Sequence, residues 1–304
     1  MTADQLLVNI KDRAAIPPSQ VSITDVKLLQ AATEEMQAYI VPLIDSSNEG
    51  FFTDSVDKTI LANVSVYDVP TRAAGGALNV LKFVDSAGNE SGGPIPRVEL
   101  TDIGRYSSLT SSFPLGFYWV ASSIVLLPAI GASPSGSLRM YYSSRPGALV
   151  SDTITASQHT AVGIVTSLTS TVITLNANTN GWAANTTIDI VGANSPFKLL
   201  AKDIATTTNA AGSATITVGT DLTALGIVAG DYVTLANTSY VPRIPQEWHS
   251  ILELRAVSRA FSMLGDTRSA GAAGQYAKEM EQKMMGMTQP RSSGNSRKVN
   301  AWRR

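Results

Sequence analysis

Helical apolar spacing occurs at the two ends of this 304-residue chain, and strand-like alternation replaces it in between. An amphipathic helix cannot bury its stripe alone, so the terminal helices are expected to pack on one another around or beside a sheet. At the N-terminal end, Thr2 and Gln5 have the capping-box spacing, and Leu6, Leu7, Ile10 and Ala14 follow on one face. Pro17 and Pro18 stop that helix. A second helix is expected from Thr24, a good N-cap, with a stripe of Leu28, Leu29, Ala32, Met36, Tyr39, Ile40 and Leu43. Pro42, in its last turn, should end or kink it. At the other end, Pro245 suits a first helical turn. Ile251, Leu254, Val257, Phe261 and Leu264 recur every three or four residues, and Gly265 stands at the C-cap position. The run AGAAG at 270–274 predicts the turn into a last helix, which carries Tyr276, Met280, Met284 and Met287 on one face and ends at Pro290. That methionine-rich face suits ordinary packing or an adaptable contact surface.

Between the helical ends, strands are expected within 51–70, with a turn at Ala62-Asn63, and at 79–84, 117–120, 124–127 and 138–142. The Gly/Ser/Pro clusters at 86–94 and 131–137 read as hairpin loops. Charged residues thin out over 150–240, where Thr, Ala, Asn and Gly dominate. Short strands are legible there at 161–166, 171–175, 187–191, 214–218 and 232–236. A weak echo links Val172–Leu175, Gly181-Trp182 and Ile188–Ile190 with Thr215–Val218, Gly226-Ile227 and Asp231–Val233. The expected class is α+β: a bundle of N- and C-terminal helices, an antiparallel β core, and an inserted small β-barrel or sandwich. The expected domains are a core at 1–149, the insert at 150–240, a C-terminal helical hairpin at 241–290 completing the core, and an extended basic arm at 291–304.

Charged residues make up 15% of the chain against about 25% in an average protein. With a net charge of −1, copies of this chain repel one another little, which favours association. There is no cysteine, which excludes disulfides, thiolate zinc sites and cysteine nucleophiles. The opening MTADQLLVNIKDR lacks the apolar core of a signal peptide, and no apolar run is long enough to span a membrane. Catalytic chemistry finds little support. The two histidines, His159 and His249, lie in no catalytic motif and read as surface or interface residues. Glu34-Glu35 and the pair Glu279 and Glu281 read as solvated helix faces. Gly75-Gly76 and Gly92-Gly93 read as turns, without the lysine of a phosphate loop. Neither a catalytic site, a cofactor site nor a metal site is expected. Trp182 and Tyr232 in the insert suit its core better than a sugar-stacking surface.

The most pointed feature is the end of the chain. From Arg291 to Arg304 stand five basic residues, Arg291, Arg297, Lys298, Arg303 and Arg304, with no acid and with Trp302 as the one aromatic. Such a stretch suits a solvated end, or an arm that orders on a partner with Trp302 as an apolar anchor and the arginines pairing with acids. Nucleic acid is a third possible target.

The segments LLVNIKDRAAIP, TDVKLLQAATEEMQAYIVPLI and FFTDSVDKTILANVSVYDVPTRAAGGAL, together with VPRIPQEWHSILELRAVSRAFSMLGD near the C-terminus, resemble the head-to-tail adaptors (connectors) of tailed bacteriophages. The resemblance covers 1–149 and 240–304 and leaves 150–240 as a variable decoration. It implies a virion structural protein of the neck, made in the host cytoplasm. Its copies would form a homo-oligomeric ring, commonly a dodecamer, between the portal protein and a downstream tail or neck protein. Genomic DNA would pass through the ring's channel at ejection without specific binding, and no membrane would be involved. It also implies that the arm 291–304 reaches into the portal. The insert, which the resemblance leaves unexplained, would either face outward as decoration or bind a fibre or whisker. A stopper, baseplate or fibre-attachment subunit is the alternative within the particle. A particle-borne glycan-binding module or hydrolase is the alternative outside that class.

Overall fold

The structure is a computed structural model describing residues 1–17, 19–47, 50–107, 109, 111, 113–131, 136–152, 162–176, 182, 185–194, 197–209 and 214–288. It is mixed α+β, with helices at both ends and several antiparallel sheets between. By contacts the chain forms two compact units, one of residues 1–48 with 146–304 and one of residues 49–145. The expected grouping of 1–149 as one core is thus not the grouping that the contacts make.

In the first unit, α1 (Ala3–Arg13) begins with the expected capping box. The Thr2 N–H donates to Gln5 Oε1 at 2.9 Å and the Gln5 N–H to Thr2 Oγ1 at 3.3 Å. Thr24 caps α2 (Asp25–Glu35), accepting from the Lys27 N–H. Pro42 does not end this second helix. A π-helical turn at Met36–Ile40 leads into α3 (Val41–Ser47), with the Val41 N–H reaching back to Met36 O. Proline removes one helical donor, and the wider turn lets the chain re-register and run on. At the other end, α5 (His249–Leu264) stops at Gly265, which is left-handed at φ +81°. The run AGAAG does not form the turn. It lies inside α6 (Thr267–Thr288), and the turn is Gly265-Asp266, with Asp266 Oδ1 accepting the Ser269 N–H. The small residues serve close packing instead: a Cβ on Gly274 would meet Ser258 Oγ at 3.4 Å, and Ser258 Oγ donates to Ala270 O. α5 contacts α1, α2 and α6, so the helices from the two ends of the chain share one packed core.

The second unit contains β1 (Thr53–Thr59), β2 (Val66–Asp68), β3 (Val80–Val84), β4 (Glu90–Ser91), α4 (Ile103–Ser107), β5 (Gly116–Val120), β6 (Ser123–Leu127) and β7 (Ser137–Ser143). Two sheets, ordered β1-β7-β3-β4 and β2-β6-β5, face one core in which Leu81, Leu138 and Met140 meet Phe117, Ile124 and Leu126. Alternation explains the facing. In β7 the even-numbered residues Leu138, Met140 and Tyr142 are buried, and the odd ones are half-exposed.

The chain returns to the first unit through β8 (Ala148–Leu149) and enters β9 (Val162–Leu168), β10 (Val172–Leu175), β11 (Thr187–Val191), β12 (Leu199–Asn209), β13 (Thr215–Val218) and β14 (Tyr232–Leu235). These six strands hydrogen-bond in the closed order β10-β13-β12-β11-β14-β9. The chain leaves through β15 (Thr238–Ser239), which pairs parallel with β8, so entry and exit run side by side. β12 is not legible in the sequence. Its alternation is broken by Lys202-Asp203, with Asp203 at φ +52° and irregular register against β11.

Candidate functional site

Arg291, Arg297, Lys298, Trp302, Arg303 and Arg304 lie outside the described residues, as does His159. The structure does describe the root of the expected arm, α6, and how it is fastened. Arg255 on α5 donates from Nε to Glu281 Oε1 of α6 at 2.5 Å, and from Nη1 to Glu35 Oε2 of α2 at 2.9 Å. Arg259 adds a bond to Glu35 Oε1 at 2.6 Å. The guanidinium of Arg255 lies 3.2 Å from the centroid of the Tyr39 ring. Glu35 and Glu281 are both buried, so their expected place on solvated helix faces is overturned. Glu35 falls seven residues after Leu28, on the apolar stripe of its helix, and Glu281 falls four after the buried Ala277. An acid on an apolar stripe was the signal that these two needed a buried cation. The resulting cluster ties three helices, two from one end of the chain and one from the other.

In the barrel, Trp182 is 5% exposed and sits in the apolar cluster, while Tyr232 packs edge-on against Tyr240 at 5.0 Å. Trp182 is thus enclosed, and Tyr232 is half-buried beside Tyr240. The sequence echo has a structural meaning: the echoed strands β10 and β13 pair antiparallel, and so do β11 and β14. In each half a buried aspartate clasps two backbone N–H groups. Asp189 accepts from Asp203 and Asn237, both at 3.0 Å, and Asp231 accepts from Ala193 at 3.0 Å and Val228 at 2.8 Å. These carboxylates close loops onto the barrel.

His249 is buried, not at the surface, and it stacks on Phe197 at 5.4 Å. Its Nε2 stands 3.2 Å from both Pro242 O and Ile244 O. Carbonyls only accept, so Nε2 carries the hydrogen. Nδ1 is then bare and buried, with no hydrogen-bond partner among the described residues. A second proton would have nowhere to donate, and burial pushes the imidazole down to about 4. Burial also raises the carboxyl of Asp152, with Asp4 adding to the effect. Asp4 itself pins the start of α1 to the barrel's neck, accepting from Ser151 Oγ and, at 2.9 Å, from the Tyr240 hydroxyl.

In the second unit, the segment Pro94–Val98 straps the two sheets together. The Ile95 N–H donates to Leu81 O of β3, the Val98 N–H to Phe117 O of β5, and the Phe117 N–H to Pro96 O. Gly116 allows the close approach, since a Cβ there would lie 2.4 Å from Val98 Cγ2. Beside the strap opens a cleft of about 240 Å³. Leu81, Ile95 and Phe117 line its floor, with the half-buried Trp119 along its wall and Asn79 and Arg97 at its exposed rim. The strands are legible in the sequence and this cleft is not, because Arg97 is brought to β5 by a parallel bridge formed outside any regular strand.

Among the described residues, no group of three or more histidines and acids is placed to hold a metal ion. Among them, too, no helix is long and apolar enough to cross a membrane. Comparison with protein-family models and with curated protein sequences finds no match.

Proposed function

We propose that this chain is a virion structural protein, a head-to-tail adaptor whose copies form a ring beneath the portal of a tailed phage. In this reading it is not an enzyme and binds no cofactor. The terminal helices make the body of the ring subunit. The barrel decorates it, and the arm 291–304 engages the portal. DNA passes through the channel without specific contacts. The observation that carries the reading is the fastening of α6 by Arg255 to both Glu281 and Glu35, with the basic stretch beginning three residues after that helix ends. An arm that holds a capsid to its tail must transmit load, and a helix locked to two others by enclosed ion pairs is a rigid root for it. The sparse charge, 15% of residues, suits lateral contacts between identical copies.

Native mass spectrometry of the purified chain, alone and mixed with a portal ring, tests this. The expected result is a mass near 32.1 kDa alone, shifting to a multi-subunit complex with the portal. Deleting 291–304 should abolish that complex and leave the circular dichroism spectrum of the fold intact. A chain that ignores the portal ring, or a truncated chain that still joins it, overturns the reading.

A further inference from the structure

We infer that the cleft beside the Pro94–Val98 strap is a binding site for one acidic sugar ring, such as a hexuronic acid unit of an anionic polysaccharide. The cleft's size sets the first limit. At about 240 Å³ it lies below the usual range for drug-sized ligands and suits a single ring. Its composition sets the second. Phe117 and Trp119 stand two apart on β5, so both side chains project from the same face, and their rings meet edge-on at 6.2 Å. The half-buried Trp119 therefore offers an apolar wall against which the C–H face of a pyranose can pack.

The third limit comes from the polar groups. The Arg97 guanidinium, the Asn79 side-chain amide and the Trp119 indole N–H have no hydrogen-bond or ion-pair partner among the described residues. Elsewhere in the same unit the half-exposed Arg139 pairs with Asp57 and Glu90, and Lys82 with Glu90 at 2.5 Å, while Lys58, Glu99 and Arg145 stand exposed to solvent away from the apolar lining. An unmatched arginine at the mouth of an apolar cleft selects a carboxylate, which it can hold with two parallel bonds. The amide and the indole N–H belong to the same lining and are donors that ring hydroxyls can use. An aromatic acid would fill the same apolar wall but leave both of them unmatched, so the set favours a sugar. The strap fixes the spacing, because the Ile95, Phe117 and Val98 backbone bonds hold Arg97 beside β5.

The site stands independently of the adaptor reading, since it needs no ring and no portal. The test uses the full chain and D-glucuronate as probe, with D-glucose and acetate as controls. The indole N–H signals are followed by two-dimensional NMR, with Trp119 assigned from Trp119→Phe. Glucuronate should shift the Trp119 signal at millimolar concentration. Glucose should do so at least tenfold more weakly, and acetate alone should leave the ring signal unmoved. Arg97→Gln, at an exposed rim position, should keep the fold and reduce glucuronate binding about tenfold, to the level of glucose. Asn79→Ala should weaken both sugars. A Trp119 signal unmoved by glucuronate overturns the inference. So does an Arg97→Gln chain that binds glucuronate as well as the parent, or an acetate response equal to that of glucuronate, which would mark a bare anion contact.

Discussion

Lowering the pH from 7.5 to 5 should weaken the helical unit through His249, and His249→Gln should remove that share of the loss. The folded imidazole is held at about 4 by burial, while an unfolded histidine titrates near 6.5. Above pH 6.5 neither state binds the proton, and stability is intact. As the pH falls from 6.5 towards 4 the unfolded chain takes up a proton that the folded chain refuses, so stability is lost progressively across that window. Between pH 7.5 and 5 the loss from this one group is about 2 kcal/mol. Glutamine is the informative replacement, because its amide can still donate to Pro242 O and Ile244 O but does not titrate. Urea unfolding of both chains at the two pH values measures the difference. Comparing the two chains cancels other titrating groups, including Asp152, whose raised carboxyl acts in the opposite direction. The imidazole NMR signal missing from the variant identifies His249 and gives its titration directly. A pH dependence identical in both chains, or a His249 signal titrating near 6.5, refutes the reasoning.

Two further predictions concern buried charge. Arg255→Ala leaves the buried Glu281 without its cation and Glu35 with Arg259 alone, and should cost about 3–5 kcal/mol, read as a lowered urea midpoint and faster amide exchange in α6. A midpoint unchanged from the parent would mean the cluster holds nothing. Asp231→Ala removes the acceptor of two backbone N–H groups inside the barrel and should cost about 2–4 kcal/mol, with Asp231→Asn recovering part of it. Equal stability of the alanine and parent chains in a thermal melt would show that the clasp is dispensable.

The sequence by itself determined the parts of this protein that rest on local rules. The capping box at Thr2 and Gln5, the N-cap at Thr24 and the left-handed stop at Gly265 depend on neighbours within four residues, and each is present in the structure. The alternating strand at 138–142 is equally local, since its period of two already separates a buried face from an open one. The mixed α+β class follows from those two periods. Tertiary structure decided what depends on residues far apart in the chain. Glu35 and Glu281 look like surface acids until the folded helices bring Arg255 between them from 220 and 26 residues away. Alanine and glycine at 270–274 read as a turn by propensity, yet they lie within a helix because α5 packs close against them. The meaning of the barrel's echo, a pair of buried aspartate clasps, appears only when strands pair across it. The cleft is the furthest from sequence. Arg97 belongs to no regular element, and a strap of three backbone hydrogen bonds, with Gly116 leaving room for it, sets it on the same cleft as Trp119.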